Sequence, residues 1–237
     1  MRQAGRSAAT VLDRLCKFVQ PGMSTLEIDE KGGALMEELG VKSACKGYRS
    51  GHRIFPSYTC LSVNDEVVHG IGVKERILKE GDVISVDVCI RQEGFIGDNC
   101  KTIPVGQVHP EVERLLRVTE ESLYLGLSQA LHKKRVGDVS HAVQSHVEKE
   151  GFAIITNFVG HGVGRSLHED PQIPNFGKPG TGPQARKPKG KRPPSKEAAI
   201  RKPTQSKGKA KAVDALGSSS NQQQPAVGLR RSTRKRS

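Results

Sequence analysis

The sequence predicts an α/β fold of the α+β type, in which two similar halves each run helix, helix and strands around a central antiparallel sheet. Apolar residues recur at three-to-four-residue spacing in two pairs of segments, the first within residues 4–40 and the second within residues 110–151. Strand-like alternation follows the first pair. Gly40 and Gly151 end the second helix of each pair, so the order repeats at an offset of roughly 110 residues. The second half then stops early and is expected to be incomplete.

The first half is predicted to begin with two helices. An apolar stripe gives a first helix that ends before Pro21, and Ser24 and Glu27 have the spacing of a capping box at the start of a second helix. The stripe consists of Ala4, Ala8, Val11, Leu12, Leu15 and Val19. Short strands follow, and the last two form a β-hairpin. The strands span 42–46, 57–63 and 66–70, and the hairpin spans 81–104.

The second half is predicted to repeat this order. A long helical pattern begins after Pro110 and runs through Leu127. Asp138 has the chemistry of an N-cap residue for a further helix that closes at Gly151. A strand is expected near residues 153–158.

The charge of the chain is concentrated at one end. Residues 183–237 hold 16 Lys and Arg but only two acidic residues, whereas residues 1–182 hold 22 basic and 23 acidic residues. The 183–237 segment has no aromatic residue and is rich in Pro, Gly, Ser and Gln, so it cannot bury enough apolar surface to offset the entropy of ordering. We therefore expect a folded domain over residues 1–182 and a basic, disordered tail over residues 183–237.

The five cysteines form no CxxC pair, and the sequence has no signal-peptide pattern. No apolar run approaches the length of about 20 residues that crosses a bilayer. We therefore expect reduced thiols in a soluble, monomeric, cytoplasmic protein that does not associate with membranes.

The hairpin carries two aspartates whose spacing indicates a metal site. With Gln92 and Glu93 at the turn, Asp87 and Asp98 would pair directly, with Cβ atoms about 4.5–5.5 Å apart. Two ionised carboxylates at that distance repel each other, and a divalent cation of the Mn, Fe, Co or Zn class would neutralise them. The alternative is a register shifted by one residue, in which one aspartate faces water.

Two histidines lie in the segment GHGVGRSLHEDP, residues 160–171. The glycines around His161 let the backbone approach its neighbours closely, so a neutral imidazole there could join the carboxylates as a metal ligand. His168 lies further along, where it could donate a hydrogen bond to a substrate. The alternative for each histidine is a solvated position in a glycine-rich turn.

Seven segments of residues 1–182 form a set whose order is highly specific, although any single member would be a weak signal. They are AGRSAATVL (4–12), SACKGY (43–48), CLSVNDEVVHGIG (60–72), GDVISVDV (81–88), GFIGDNCKTIPVG (94–106), TEESLYLGL (119–127) and GHGVGRSLHEDPQIPNFGKPG (160–180). Together they resemble the type I methionine aminopeptidases, which have the pita-bread metallopeptidase fold.

The resemblance implies a metalloexopeptidase that removes the initiator methionine from nascent proteins. Asp87, Asp98 and His161 would be metal ligands, in a site that holds two divalent ions in the family. His69 would contact the substrate near its scissile amide, and His168 would form a hydrogen bond to the peptide carbonyl or the leaving nitrogen. The metal ions would lower the pKa of the attacking water and polarise the carbonyl.

The resemblance also implies an apolar pocket for the methionine side chain near Tyr48 and Cys60.

The family has two further glutamate ligands downstream of the GHG motif. The glutamates found there, Glu169 and Glu197, match neither ligand, because Glu169 lies in the HEDP motif and Glu197 lies in the tail. We therefore expect at most one weakly held metal ion and little turnover. With the second half incomplete, the strand near residues 153–158 is expected to have an unpaired edge.

The basic tail suggests a competing function. Its excess of about 14 positive charges would give salt-dependent binding to RNA or the ribosome, although no aromatic residue is available for base stacking. The tail residues predicted to contact RNA or the ribosome are Arg186, Lys187, Lys189, Lys191 and Arg192. Three functions stay open here: a methionine aminopeptidase, a non-catalytic protein of the same fold that binds RNA or the ribosome, and an inactive product of a frameshift near residue 182.

Overall fold

The computed structural model describes residues 1–185 and the backbone of residues 227–228. The helices are α1 (Arg2–Phe18), α2 (Thr25–Glu38), α3 (Pro110–Gln129) and α4 (Val136–Lys149). The strands are β1 (Lys42–Ser43), β2 (Arg49–Ser50), β3 (Arg53–Ile54), β4 (Cys60–Val63), β5 (Val83–Gln92), β6 (Phe95–Pro104), β7 (Ala153–Ile154), β8 (Gly160–Gly162), β9 (Glu169–Ile173) and β10 (Val227–Gly228). The predicted order of helix, helix and strands occurs twice.

The basic residues predicted to contact RNA lie outside the described residues: Arg186, Lys187, Lys189, Lys191 and Arg192.

The hairpin of β5 and β6 is the centre of the main sheet. β5 pairs along its whole length with β6, and its other edge pairs with β1 and β4, in each case antiparallel. Glu93 and Gly94 form the turn, and their φ angles of 51° and 79° fit the two left-handed positions of a type I′ turn. The prediction of a turn at Gln92 and Glu93 is therefore wrong, because Gly94 supplies a left-handed position and Gln92 pairs with Phe95.

One face of the hairpin packs against α1 and α2. Ile84, Val86, Val88 and Ile90 alternate along β5 and are fully buried in a core that also contains the apolar stripe of α1. Burial of each aliphatic side chain contributes about 1.5–3 kcal/mol, so this layer stabilises the first half. Because side chains alternate along a strand, the other face of β5 presents the residues between them, including Asp87.

The helix starts follow from local hydrogen bonds. α2 begins with the predicted capping box: the Glu27 amide donates to Ser24 Oγ at 3.2 Å, and the Ser24 amide donates to Glu27 Oε2 at 2.8 Å. Asp138 is not the N-cap of α4, as predicted, but a residue of its first turn. Its carboxylate accepts from the amides of Arg135 at 2.7 Å and Gly180 at 2.8 Å. Asp138 therefore caps α4 from within and also fixes the segment around residue 180.

The strand predicted at residues 66–70 is a loop in the structure, so this prediction is wrong. His69 has a φ angle of 62°, a left-handed conformation that an extended strand does not accept. The loop closes over β4, because the Leu61 amide donates to the Gly70 carbonyl at 2.9 Å and the Gly70 amide donates to Ser62 Oγ at 3.1 Å. The loop thereby holds His69 beside β4.

The second half is mainly a pair of helices. α3 and α4 pack together around Val118, Val147 and Phe152, all of them buried. The chain after β9 returns to the start of α4, where the Ala185 amide donates to the Lys134 carbonyl at 2.8 Å. None of the four described helices combines the length and the apolar character needed to cross a bilayer.

The strand predicted near residues 153–158 is the two-residue strand β7. It pairs antiparallel with β10, with Ala153 opposite Gly228 and Ile154 opposite Val227. A segment of the predicted tail thus occupies one edge of β7, and the other edge of this two-stranded sheet has no strand partner among residues 1–185 and 227–228.

Gly97, one residue before Asp98, is a point of close approach between β6 and α1. A Cβ atom at Gly97 would lie 2.3 Å from the carbonyl oxygen of Ala4 and 2.8 Å from the amide nitrogen of Gly5. Backbone atoms of a helix move only if the whole helix moves, so we expect Gly97→Ala to lower the free energy of unfolding by on the order of 3 kcal/mol. Urea unfolding followed by circular dichroism measures this change.

Gly5→Ala is the matched control. No heavy atom lies within 4 Å of a Cβ atom built at Gly5, and alanine is favoured over glycine inside a helix by about 1 kcal/mol. Gly5→Ala should therefore stabilise the protein. Equal stability changes in the two variants would contradict the close packing of α1 on β6.

Candidate metal centre

Asp87 of β5 and Asp98 of β6 lie on the same face of the central hairpin. Asp87 is opposite Cys100 and Asp98 is opposite Cys89, so the two carboxylates are diagonal neighbours. The predicted direct pairing is wrong by two residues, because the turn lies one residue further along the chain. A shift of two residues keeps both side chains on one face. Both are buried, with exposed fractions of 8% and 6%, so neither faces water as the alternative interpretation required.

Asp87, Cys89 and Asp98 bring three possible ligand atoms together. One oxygen of each carboxylate and the Cys89 sulfur lie within 4.8 Å of one another. The Cys89 side chain is buried, and its thiol lies 3.7 Å from Asp87 Oδ1. Oxygen and sulfur donors of this kind fit a divalent transition metal. Sequence reasoning missed Cys89, although its position two residues after Asp87 on a strand puts both on one face.

The two carboxylates are electrostatically unfavourable when both are ionised. Burial raises the pKa of Asp87 well above its ordinary value, and the charge of Asp98 raises it further. Burial also raises the pKa of Asp98 to about 6, although the Cys89 thiol and the positive charge of His161 lower it in part. Ionisation of both carboxylates near neutral pH therefore requires a cation close to them.

His161 lies beside the carboxylates on the short strand β8. A Cβ atom at Gly160 would lie 2.9 Å from the Ile173 carbonyl oxygen, so glycine allows β8 to run close to β9. His161 Nδ1 is 2.9 Å from the carbonyl oxygen of Gly162, which can only accept. The proton of the neutral ring is therefore on Nδ1 and its lone pair on Nε2. His161 lowers the pKa of Asp98 but lies outside the group of three ligand atoms.

His168, Tyr48 and His69 form the open side of the site. Tyr48 Oη is 3.0 Å from His168 Nδ1, and the rings of His168 and His161 have centroids 4.2 Å apart. Partial burial lowers the pKa of His168, and the positive charges of His161 and His69 lower it further, so the ring is neutral at pH 7. The three predicted histidines thus meet in one cleft beside the carboxylates.

Cys60 and Tyr48 occupy different parts of the cleft wall. Cys60 is opposite Asp87 across β4 and β5 and is buried in a small cluster beside the carboxylates. The other members of this cluster are Cys45, Cys89, Ala44, Phe55 and Leu167. Tyr48 is 40% exposed and contacts His168 instead. The wall nearest the carboxylates is therefore built from thiols and apolar side chains.

A buried pair of strand-borne aspartates, beside a histidine of a glycine-rich segment, is the arrangement of a metal-dependent hydrolase. The family model of metallopeptidase family M24 matches residues 1–193, and the chain belongs to this family. The chain is 45% identical over 184 residues to methionine aminopeptidase 1 of Bacillus subtilis, an alignment that covers 78% of this chain and 72% of the relative. It is 40% identical over 177 residues to the methionine aminopeptidase of Escherichia coli, with 74% and 66% covered.

Solved structures of methionine aminopeptidases also superpose on this chain. The methionine aminopeptidase of Thermotoga maritima superposes with a TM-score of 0.75 at 44% identity, covering 79% of this chain and 74% of the other. For the methionine aminopeptidase of Rickettsia prowazekii, the TM-score is 0.73 at 32% identity, with 77% and 72% covered. The predicted resemblance to type I methionine aminopeptidases and the predicted pita-bread fold are confirmed.

Replacing a buried aspartate should stabilise the metal-free protein. The folded-state pKa of Asp87 is raised, so the unfolded chain loses this proton first and the fold loses stability as the pH rises above about 4. Asp87→Asn removes the ionisable group. We expect it to raise the free energy of unfolding by on the order of 1 kcal/mol at pH 7 and to leave it nearly unchanged at pH 4. Thermal unfolding in EDTA measures both values.

Asp65→Asn is the control for this comparison, because Asp65 is exposed in a turn. It should leave stability unchanged at both pH values. A less stable Asp87→Asn protein at pH 7 would mean that the charged carboxylate is compensated by the protein itself.

Proposed function

We propose that this chain is a metal-dependent aminopeptidase that removes the N-terminal methionine from nascent polypeptides. The observation that carries the proposal is the buried pair of Asp87 and Asp98 with His161 beside it, in a chain that is 45% identical to a methionine aminopeptidase. No feature of residues 1–185 or 227–228 favours RNA or ribosome binding over this activity.

Asp87, Asp98 and His161 hold the metal ion in this proposal. The ladder of β5 and β6 fixes both carboxylates relative to each other, and the neutral ring of His161 offers its Nε2 lone pair. When bound, a divalent ion of the Co, Mn, Fe or Zn class polarises the scissile carbonyl and lowers the pKa of the attacking water.

His168 donates a hydrogen bond to the peptide carbonyl or the leaving nitrogen. In this proposal the Tyr48 hydroxyl, 3.0 Å from His168 Nδ1, donates to that nitrogen, which places the proton of the neutral ring on Nε2. The lowered pKa of His168 keeps this form dominant at pH 7. His69 contacts the substrate near the scissile amide from the loop that follows β4. Both histidines orient the substrate.

Tyr48 and Cys60 border the methionine side chain. The thioether of methionine is polarisable and makes favourable contacts with aromatic rings. The cluster around Cys60 offers a soft, mostly apolar wall of the same character next to the carboxylates. A negatively charged substrate side chain would lose its hydration next to two carboxylates and would be disfavoured.

One weakly held ion and slow turnover complete the proposal. The ligand group in the described residues contains two carboxylates and one thiol, Asp87, Asp98 and Cys89. Two carboxylate charges balance one dication, and a second dication there would leave uncompensated positive charge. The general base expected of a further glutamate is also absent from this group, which favours slow proton transfer.

Release of methionine from a Met-Gly-Gly peptide tests the activity. We expect release that requires added Co²⁺ or Mn²⁺, stops with EDTA and falls roughly 100-fold or more in His161→Ala. His132→Ala is the matched control, since His132 is exposed in the loop before α4 and should leave the rate unchanged. A wild-type chain that releases no methionine with any divalent ion would overturn the proposed function.

Tyr48→Phe tests how His168 is oriented. Loss of one hydrogen bond of about 0.5–1.5 kcal/mol should lower kcat/KM by about two- to tenfold, because His168 then samples the wrong tautomer. Steady-state kinetics on the same peptide measure this effect. Tyr124→Phe, at an exposed position of α3, provides the comparison. Equal rates in both variants would show that Tyr48 does not act on His168.

A further inference from the structure

We propose that Cys89 is a direct ligand of the metal ion, so that the ion is bound by two carboxylates and a thiolate. The inference rests on the proposed metal-dependent function and adds a ligand to it. Asp87, Cys89 and Asp98 would form the primary ligand set, and His161 would complete the coordination from the cleft side.

The distances fit common coordination. With metal–oxygen and metal–sulfur bonds of about 2.1 and 2.3 Å, two ligands of a tetrahedral ion lie about 3.6 Å apart. The Cys89 sulfur lies 3.7 Å from Asp87 Oδ1, and the two carboxylates and the sulfur all offer an atom within 4.8 Å of the other two. An ion can contact all three atoms with little movement.

The position of Cys89 is fixed by the sheet. β5 is paired on both edges, and Cys89 is directly opposite Asp98 on β6. The side chain is 4% exposed and packs against Cys45 and Cys60. The sulfur is therefore held beside the carboxylates without relying on a loop, which is the rigid support that a metal ligand requires.

The thiol changes which ion the site prefers. Thiolates favour Zn²⁺ and Co²⁺, whereas carboxylates and water suit Mn²⁺ and Mg²⁺. A set of two oxygens and one sulfur should thus increase the preference for Zn²⁺ over Mn²⁺ beyond that of a site built from carboxylates and imidazole.

Cobalt titration of the full chain tests the proposal. When one equivalent of Co²⁺ is added to the wild-type protein, we expect visible d–d absorption together with a near-ultraviolet sulfur-to-cobalt charge-transfer band. In Cys89→Ser the charge-transfer band should disappear while d–d absorption persists, and the ratio of Zn²⁺ to Mn²⁺ affinity should fall about tenfold. Cys100→Ser is the matched control, because Cys100 is on the same face of the hairpin, opposite Asp87, but outside the ligand group. It should keep the band.

The other outcomes each decide between the two proposals. Cobalt d–d absorption without a charge-transfer band in the wild type overturns Cys89 ligation and leaves the metal-dependent function standing. A band that survives in Cys89→Ser but is lost in Cys45→Ser overturns the assignment to Cys89. Absence of cobalt binding overturns the metal site as a whole.

A measurement on the wild-type protein tests the proposal even if the Cys89→Ser variant fails to fold. The ¹¹³Cd NMR shift of the cadmium-loaded wild-type protein distinguishes sulfur from purely oxygen and nitrogen ligation. We expect a shift in the range of mixed sulfur and oxygen sites. A shift typical of oxygen and nitrogen ligands alone overturns the proposal.

Discussion

Two neighbouring carboxylates, both buried, set the main physical constraint on this molecule. Asp87 and Asp98 are both buried, and burial together with their mutual repulsion raises the pKa of Asp87 well above its ordinary value. Such an arrangement lowers the stability of the empty protein, and an ion that binds there recovers this cost. The fold supplies the stability that makes the arrangement possible, since the opposite face of β5 is fully buried against two helices.

The site divides into a rigid part and a more adaptable part. The carboxylates and Cys89 are on the paired strands of the central sheet, and Gly97 seats α1 directly against β6 next to Asp98. The histidines come from short strands and loops, with His69 in a left-handed backbone conformation. The two aspartates and the cysteine of the proposed metal site thus lie on the rigid sheet, whereas the histidines lie on short strands and loops that adapt more easily.

The sequence predicted the helices and the face of the sheet on which the site residues lie, but it did not predict the distances between those residues. The stripe of α1 and the capping box of α2 are local signals and are confirmed, because each depends only on residues of its own helix and its cap. The register of the hairpin depended on recognising Gly94 as a turn residue. Because the turn lies one residue later than predicted, every residue of β5 pairs with a residue of β6 two positions further along than predicted. The face of Asp87 survived that error because the shift is even. Cys89 was missed because a cysteine between valine and isoleucine looks like core, and only the partner strand reveals Asp98 opposite it.

Charge balance connects these observations to the number of ions. Two ionised carboxylates already offset one dication, and ionisation of Cys89 would add a third negative charge within the same 4.8 Å. A thiolate so close to two carboxylates is unfavourable unless the ion is held directly between them, so the ligand set favours a short bond to sulfur over a distant contact. The same excess of charge would attract a second dication only if further oxygen ligands approached from the cleft, where the described side chains are histidines and a tyrosine. Histidine and tyrosine side chains bring no carboxylate to this side, so the proposed ligand set suits a single ion of the softer class.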